Sequence, residues 1–590
     1  MEKFIKFADK YNLKELGIIL VFSILFFIIF YGKQDAYLVD VGREAYIPWQ
    51  MLNGKVLYKD IFNVYGPLGY QINALAYIIL GIKLSTLYLM GFLNSLIICF
   101  ASFFIVRIFS TKKTALCVTA MTMAVCIYIR TFFNFIFAYS YSAVYALSGF
   151  LLSLLSMLLY MRDKKNAYLW LSFLFGGFSF ANKIENLPYF ILLFLSLTFV
   201  IENRKDWRKY VQAFCFFMIF PIVSFGILIL QGANTVDFLN AFDLINRLVH
   251  APVVEYFYNA YGLYLNPLYI KLSFYYSFRL FLFVVPFGLV FYFLNYLNKR
   301  FFSNRFLKIF LNVVIFFTMI VAVTKAFQRF LPVSERLFCW LGLYAVIVLA
   351  VFSIVFMYKF IKNKFSFSSV DLYDKMYFFL LIAAISVSIK GISGITTECY
   401  GTFSLAALFL PFVIFFVRYL KFTDGQVLEK TVVNLCFVIV ISYLTANIMR
   451  IGEKPLYPVS TERGTIFVSE LFKSQNEFIH YIKQTTQKDS VIVSVPEGAI
   501  INFLSDRKSN DMYYYLIPAN VQVFGEEKIL FDFKKNPPDY FIMNNVPYSP
   551  FNVGDFCDYA KNVCTFVKDN YKPVAAVDEG VRFVLYKKNK

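Results

Sequence analysis

Charge and histidine are what this chain is short of. Only 16% of its 590 residues are charged, and its two histidines are His250 and His480. Soluble domains carry roughly 25% charged residues. No CxxC, HExxH or histidine cluster occurs, so a zinc site is disfavoured. There is no P-loop and no GxGxxG opening a helix after a strand, which disfavours a nucleotide-driven pump. The nine cysteines are scattered. Cys557 and Cys564 share the C-terminal tail, but their spacing along a helix is about 10 Å of rise, too far for a bond within that helix.

Apolar and aromatic residues fill the space left by charge, at 59% and 21%. Repeated apolar runs of about 18 residues or more mark a polytopic membrane protein. Hydropathy predicts about thirteen helices, near 14–31, 85–109, 114–130, 141–161, 167–182, 187–201, 210–230, 272–297, 306–325, 337–358, 376–390, 401–420 and 431–449. The net charge of +20 is uneven: residues 451–590 carry 17 basic and 17 acidic residues, so the whole excess lies in 1–450. With the N-terminus in the cytoplasm, the inward segments hold 25 of the 40 basic residues of that part, the bias that sets membrane topology. The basic excess is therefore topogenic and does not indicate nucleic-acid binding, which needs a basic face on a soluble domain. An odd helix count puts the loop after the first helix and the tail on the same, extracytoplasmic side. The first span is followed by Lys33, Gln34 and Asp35 without a small-residue cleavage site, so it is expected to stay as an anchor.

Two soluble regions stand out. The first outer loop, 32–84, contains DAYLVDVGREAYIPWQMLNGKVLYKDIFNVYGPLGY at 35–70. A loop this long and mixed in charge is a functional loop by default. Its Asp35, Asp40, Glu44 and Asp60 sit among aromatics beside Arg43, Lys55 and Lys59. Carboxylates so placed at a membrane surface suit acid–base chemistry on a polar head group carried by a lipid. The second region is the tail, 451–590. Strand-like runs at 491–495, 540–544 and 581–586 alternate with helical periodicity at 470–484 and 555–570, which predicts a small α/β domain. Pro496-Glu497-Gly498 reads as a turn after its first strand. Other outward loops add Lys183 and Glu185 in ANKIENLP, then Asp237, Asp243, Arg247, His250 and Glu255, then Lys325, Arg329, Glu335, Arg336, Lys390 and Glu398. Charges at a membrane face are costly unless paired or hydrated, so each is either a functional candidate or a packing pair.

The order Asp40, then GREAYIPWQMLNGKVLYKDIFNVYGPLGYQINALAYIILG, resembles the GT-C class of membrane glycosyltransferases. Within that class it is similar to the lineage of protein O-mannosyltransferases and the lipid A aminoarabinose transferase. GFSFANKIENLP resembles that lineage's glycine-rich helix ending in lysine, and GITTECYGTF a late outer loop. RGTIF, PEGAIINFL and PPDYFIMNN resemble the extracytoplasmic domain of bacterial members. The sequence departs from the lineage where Val41 follows Asp40 in place of an adjacent acid, and where Tyr65-Gly66 precede a single Pro67. The resemblance implies a mainly α membrane domain over 1–450, juxtamembrane helices in the first loop and a cavity facing the outer leaflet. It also implies a polyprenyl-phosphate sugar as donor, membrane lipids as surroundings, an extracytoplasmic acceptor and inversion at the anomeric carbon. No cofactor is implied.

The chemistry assigns the residues. An acceptor hydroxyl needs a base, and the departing phosphate needs positive charge. Asp40 is the candidate base, with an N-cap of the helix VDVGREAYI as its structural alternative. Glu44 and Asp60 are the further acids, and Asp35 reads as an end cap. Lys183, Arg247, His250 and Lys390, joined by Arg43 and Tyr65, are the candidates around the donor phosphate. Glu185 and Tyr400 are candidates on the acceptor side. A flippase for a lipid-linked sugar is an alternative, but no internal repeat of the transporter kind is found. A polysaccharide polymerase or ligase is a third reading.

Overall fold

The computed structural model describes residues 12–33, 41–129, 133–201, 206–260, 267–301, 303–339, 341–362, 371–388, 402–419, 425–452 and 455–589. Asp35, Asp40, Lys390, Glu398 and Tyr400 lie outside the described residues.

Each expected span falls on a helix. In chain order the first eight helices are α1 (Leu13–Phe30), α2 (Gly42–Leu52), α3 (Pro67–Leu80), α4 (Leu84–Phe109), α5 (Lys112–Thr122), α6 (Tyr141–Asp163), α7 (Asn166–Asn182) and α8 (Leu187–Val200). They are followed by α9 (Trp207–Leu230), α10 (Thr235–Val249), α11 (Pro252–Ala260), α12 (Pro267–Phe301) and α13 (Arg305–Cys339). The last of the membrane part are α14 (Leu341–Lys362), α15 (Leu372–Ser388), α16 (Thr402–Ile414) and α17 (Gly425–Ile451). Among the described residues, seven helices are long and apolar enough to cross a membrane. Their outward residues are bare hydrocarbon: Val21, Ile28, Ile222, Leu230 and Phe306 are all more than half exposed. A soluble protein would bury such a belt, whereas lipid tails solvate it. The chain is a multi-pass integral membrane protein.

Local sequence explains the helix starts that matter here. Pro67 opens α3 after an extended Gly66, where a missing N–H costs nothing. Ser140 caps α6 through its side chain, and Asn234 with Asp237 forms a capping box on α10.

The tail folds as the expected α/β domain, with more strands than the sequence suggested. A hairpin of β1 (Tyr457–Thr461) and β2 (Gly464–Val468) leads into α18 (Gln475–Thr485), β3 (Ile492–Val495) and α19 (Ala499–Ser505). Next come α20 (Pro518–Phe524), α21 (Glu526–Lys535), β4 (Tyr540–Asn544), α22 (Phe556–Tyr559), α23 (Lys561–Asn570), β5 (Tyr571–Val577) and β6 (Phe583–Lys588). The main sheet has the order β3-β4-β6-β5, with β3 parallel to β4 and the other pairs antiparallel. One expectation fails. Cys557 and Cys564 are joined by a disulfide, with Cα atoms 5.3 Å apart. The rise argument assumed one helix, but the backbone breaks at Ala560 (φ −126°, ψ 57°) between α22 and α23, and the break folds the two cysteines together.

The tail is seated where α1 ends and α4 begins. Phe467 N–H donates to the Gly32 carbonyl after α1 (2.9 Å), and Leu84 N–H at the start of α4 donates to the Arg463 carbonyl (2.7 Å). The hairpin thus bridges α1 and α4, so the first loop and the tail share one side of the membrane. Thiols placed at the exposed positions Asn53 and Lys572 are therefore expected to react together with a membrane-impermeant reagent in intact spheroplasts. Labelling of one with protection of the other contradicts this arrangement.

Candidate functional site

The first outer loop folds around α2, whose residues Gly42–Met51 are all buried. Gly42 lies against α19 of the tail: a Cβ there would stand 2.4 Å from the Ile500 backbone nitrogen. The cap position falls on Val41, which offers no side-chain acceptor.

Glu44 is fully buried and accepts three hydrogen bonds. They come from Tyr70 Oη (2.9 Å), the Tyr141 backbone N–H at the start of α6 (3.0 Å) and Arg43 Nε (3.2 Å). Burial pushes its carboxyl above the usual range, while Arg43 and the two other donors pull it back. Arg43, 4% exposed, also gives Nη2 to the Tyr139 carbonyl (3.1 Å). Its guanidinium lies 5.2 Å from the Tyr65 ring and 5.3 Å from the Tyr139 ring. The structure thus makes Glu44 the anchor of Arg43.

A second glycine brings the next cation close. A Cβ on Gly66 would stand 2.2 Å from the Ala181 carbonyl, and Gly66 N–H donates to the Asn182 carbonyl (3.1 Å). The Tyr65-Gly66 turn is therefore pressed on the C-terminal end of α7, one residue before Lys183. The Tyr65 carbonyl is held by Tyr58 Oη (2.5 Å) and Asn63 Nδ2 (2.6 Å). Lys183 pairs with Glu185 at 3.0 Å and lies 5.7 Å from the Phe403 ring. Phe403 contacts Phe133 (5.8 Å), and Phe133 contacts Tyr139 (5.0 Å). Tyr139, Phe133 and Phe403 thus form a continuous row of buried, packed rings with Arg43 at one end and Lys183 at the other.

The remaining candidates stand elsewhere. Asp60 accepts from the Val56 backbone N–H (2.9 Å), closing a turn of the loop. Arg247 pairs with Asp243 (2.9 Å) and donates to the Val523 carbonyl of α20 (3.3 Å). His250 ends α10, with Nδ1 2.8 Å from the Asn246 carbonyl. Arg247 thus bridges α10 to the tail domain, His250 bonds back to its own helix, and none of their described bonds reaches Arg43 or Lys183. Among the described residues, no group of three or more His, Cys, Asp or Glu converges on a metal position. Sequence reasoning missed Tyr139, Phe133 and Phe403. Their signal was faint: aromatics in an aromatic-rich chain, far from the loop in sequence.

The roles of the two acids separate by stability. Glu44→Gln leaves the buried Arg43 charge uncompensated, and breaking a buried pair costs roughly 3–5 kcal/mol. Asp60→Asn keeps an oxygen for Val56 N–H and is expected to cost under about 1 kcal/mol. Thermal unfolding in detergent measures both, and equal effects contradict the assignment.

No protein-family model matches the sequence, and no curated protein matches it. Among solved structures the chain is similar to the oligosaccharyltransferase AglB from Archaeoglobus fulgidus in complex with an inhibitory peptide and a dolichol-phosphate. That comparison has a TM-score of 0.47 and 11% identity, and it covers 99% of this chain and 75% of that one. It is also similar to ArnT from Cupriavidus metallidurans bound to undecaprenyl phosphate, with a TM-score of 0.46 and 11% identity, covering 98% of each chain.

Proposed function

We propose that the chain is an inverting glycosyltransferase of the GT-C class. On this reading it moves a sugar from a polyprenyl-phosphate donor to an acceptor on the extracytoplasmic side of the cell membrane. The observation that carries the proposal is the pair of cations, Arg43 and Lys183, joined by a row of packed aromatic rings where the acid-bearing loop meets the end of α7. A lipid-linked phosphate sugar needs that combination: cations for the phosphate as it departs, and apolar rings beside the first isoprene units and the sugar face. The loop motif around Asp40 supports the same reading.

The roles follow from the chemistry. The donor is already activated, since its phosphate is the leaving group. Asp40, three residues before Arg43, is the base that takes the acceptor hydroxyl's proton as oxygen attacks the anomeric carbon. The bond to phosphate breaks on the opposite face, which gives inversion. Arg43 and Lys183 carry the phosphate charge, with Tyr65 beside Arg43. Glu185 fixes Lys183 at the acceptor side, and Lys390 and Tyr400 are assigned to the same outer face. The tail domain, 451–590, lies outside the membrane domain, 1–450, in this scheme. Its disulfide supports an extracytoplasmic setting, because such bonds persist in oxidising compartments.

Asp40→Asn tests the base. It keeps size and polarity but removes the proton acceptor, so turnover is expected to fall roughly 10²–10⁴-fold. Membrane insertion and thermal stability should stay near wild type. Membranes supplied with a cellular extract of polyprenyl-phosphate sugars give the readout. Transfer by Asp40→Asn at a near wild-type rate, with Asp60→Asn inactive, overturns the assignment. EDTA is expected to leave turnover unchanged, since Arg43 and Lys183 neutralise the phosphate. Loss restored only by magnesium or manganese contradicts that.

A further inference from the structure

α2 is held from two sides. Arg43 and Glu44 bond to the membrane domain, through the Tyr139 carbonyl, Tyr141 N–H and Tyr70. Tyr46 and Trp49, farther along the same helix, bond to the tail domain. Tyr46, 0% exposed, donates its hydroxyl to Asp511 Oδ1 (2.7 Å) and accepts from Ser509 N–H (2.9 Å). Asp511 also lies 3.5 Å from Lys55 Nζ, three residues beyond the end of α2. The Arg463 guanidinium lies 4.0 Å from the centre of the Trp49 ring and pairs with Asp506, while its Nη1 donates to the Phe503 carbonyl (3.0 Å). Arg463 also lends its carbonyl to α4, so the stacking residue is itself tied to the membrane bundle.

We infer that the tail domain is a positioning part of the transfer site: Asp511 and Arg463 clamp Tyr46 and Trp49, fixing where α2 holds Arg43. The inference rests on the transferase reading and adds a role for the soluble domain. A hydrogen bond from a rigid phenol and a guanidinium stacked on indole are both directional. They fix the rotation of α2 about its own axis as well as its depth. Rotation matters because displacement of a reacting group by about 1 Å can lower turnover on the order of 10²-fold.

The test uses the full-length protein in detergent or nanodiscs, with four variants: Tyr46→Phe, Asp511→Ala (which removes the acceptor), the two combined, and Arg463→Lys. Arg463→Lys keeps the charge but loses the flat stacking face. Hydrogen exchange over residues 42–52, read by mass spectrometry without donor, is expected to rise in each, while peptides of α6 and α7 stay protected. Turnover is expected to fall on the order of 10²-fold with the KM for lipid donor near wild type. The double variant should lose no more than the worse single, because the two groups act through one bond. Lys473→Ala, which removes an exposed pair with Glu579 (3.1 Å), should change neither readout. Unchanged exchange over 42–52, or additive turnover losses, overturns the clamp. Absence of transfer by the wild-type protein overturns the transferase reading, and the exchange data from the same samples still decide the clamp.

Discussion

The buried Arg43–Glu44 pair is the constraint on which the loop depends. A carboxylate and a guanidinium at these depths are tolerable only if every remaining donor and acceptor finds a partner. Tyr70 from α3, Tyr141 from α6 and the Tyr139 carbonyl supply those partners. Three separate stretches of chain must converge before the pair is satisfied. The same convergence carries the aromatic rings to the guanidinium and the Tyr65 turn to the end of α7. Fold and site are set by one network.

The soluble domain takes part in that constraint from the other side. A membrane helix gains its place from lipid and from neighbouring helices, but α2 is short, lies outside the spans and contains Pro48. It has no apolar run long enough to anchor itself. It is packed between the helix bundle and the tail, with Tyr46 and Trp49 bonded to the tail and Arg43 and Glu44 to the bundle.

Much of the membrane part was legible in the sequence, because long apolar runs in lipid leave the backbone little choice but helix. Strands at 540–544 and near 491–495 were legible for a similar reason, as short apolar runs bounded by turn residues. The hairpin at 457–468 went unread, although Gly464 in its turn, with φ of +128°, was an available signal. The Cys557–Cys564 bond went unread because periodicity carried one helix through Ala560, where the chain breaks. Within the site, Arg43, Glu44 and Lys183 were legible as charges that a membrane face must account for. Their mutual placement was not, since Arg43 meets Tyr139 across 96 residues and Tyr46 meets Asp511 across 465. Contacts at such separations leave no local pattern. Charge in a loop drew Arg247 and His250 into the phosphate set; in the fold Arg247 bonds to the Val523 carbonyl of the tail and His250 to the Asn246 carbonyl of its own helix.

Transfer from a lipid-phosphate donor is most directly tested in the cell by mass spectrometry of membrane lipids with and without the gene. The expected result is that one polyprenyl-phosphate sugar accumulates when the gene is removed, that the same sugar disappears from a surface glycan, lipid or protein, and that Lys183→Ala fails to restore it. An unchanged pool of lipid-linked sugars together with unchanged surface glycosylation would contradict the transferase reading.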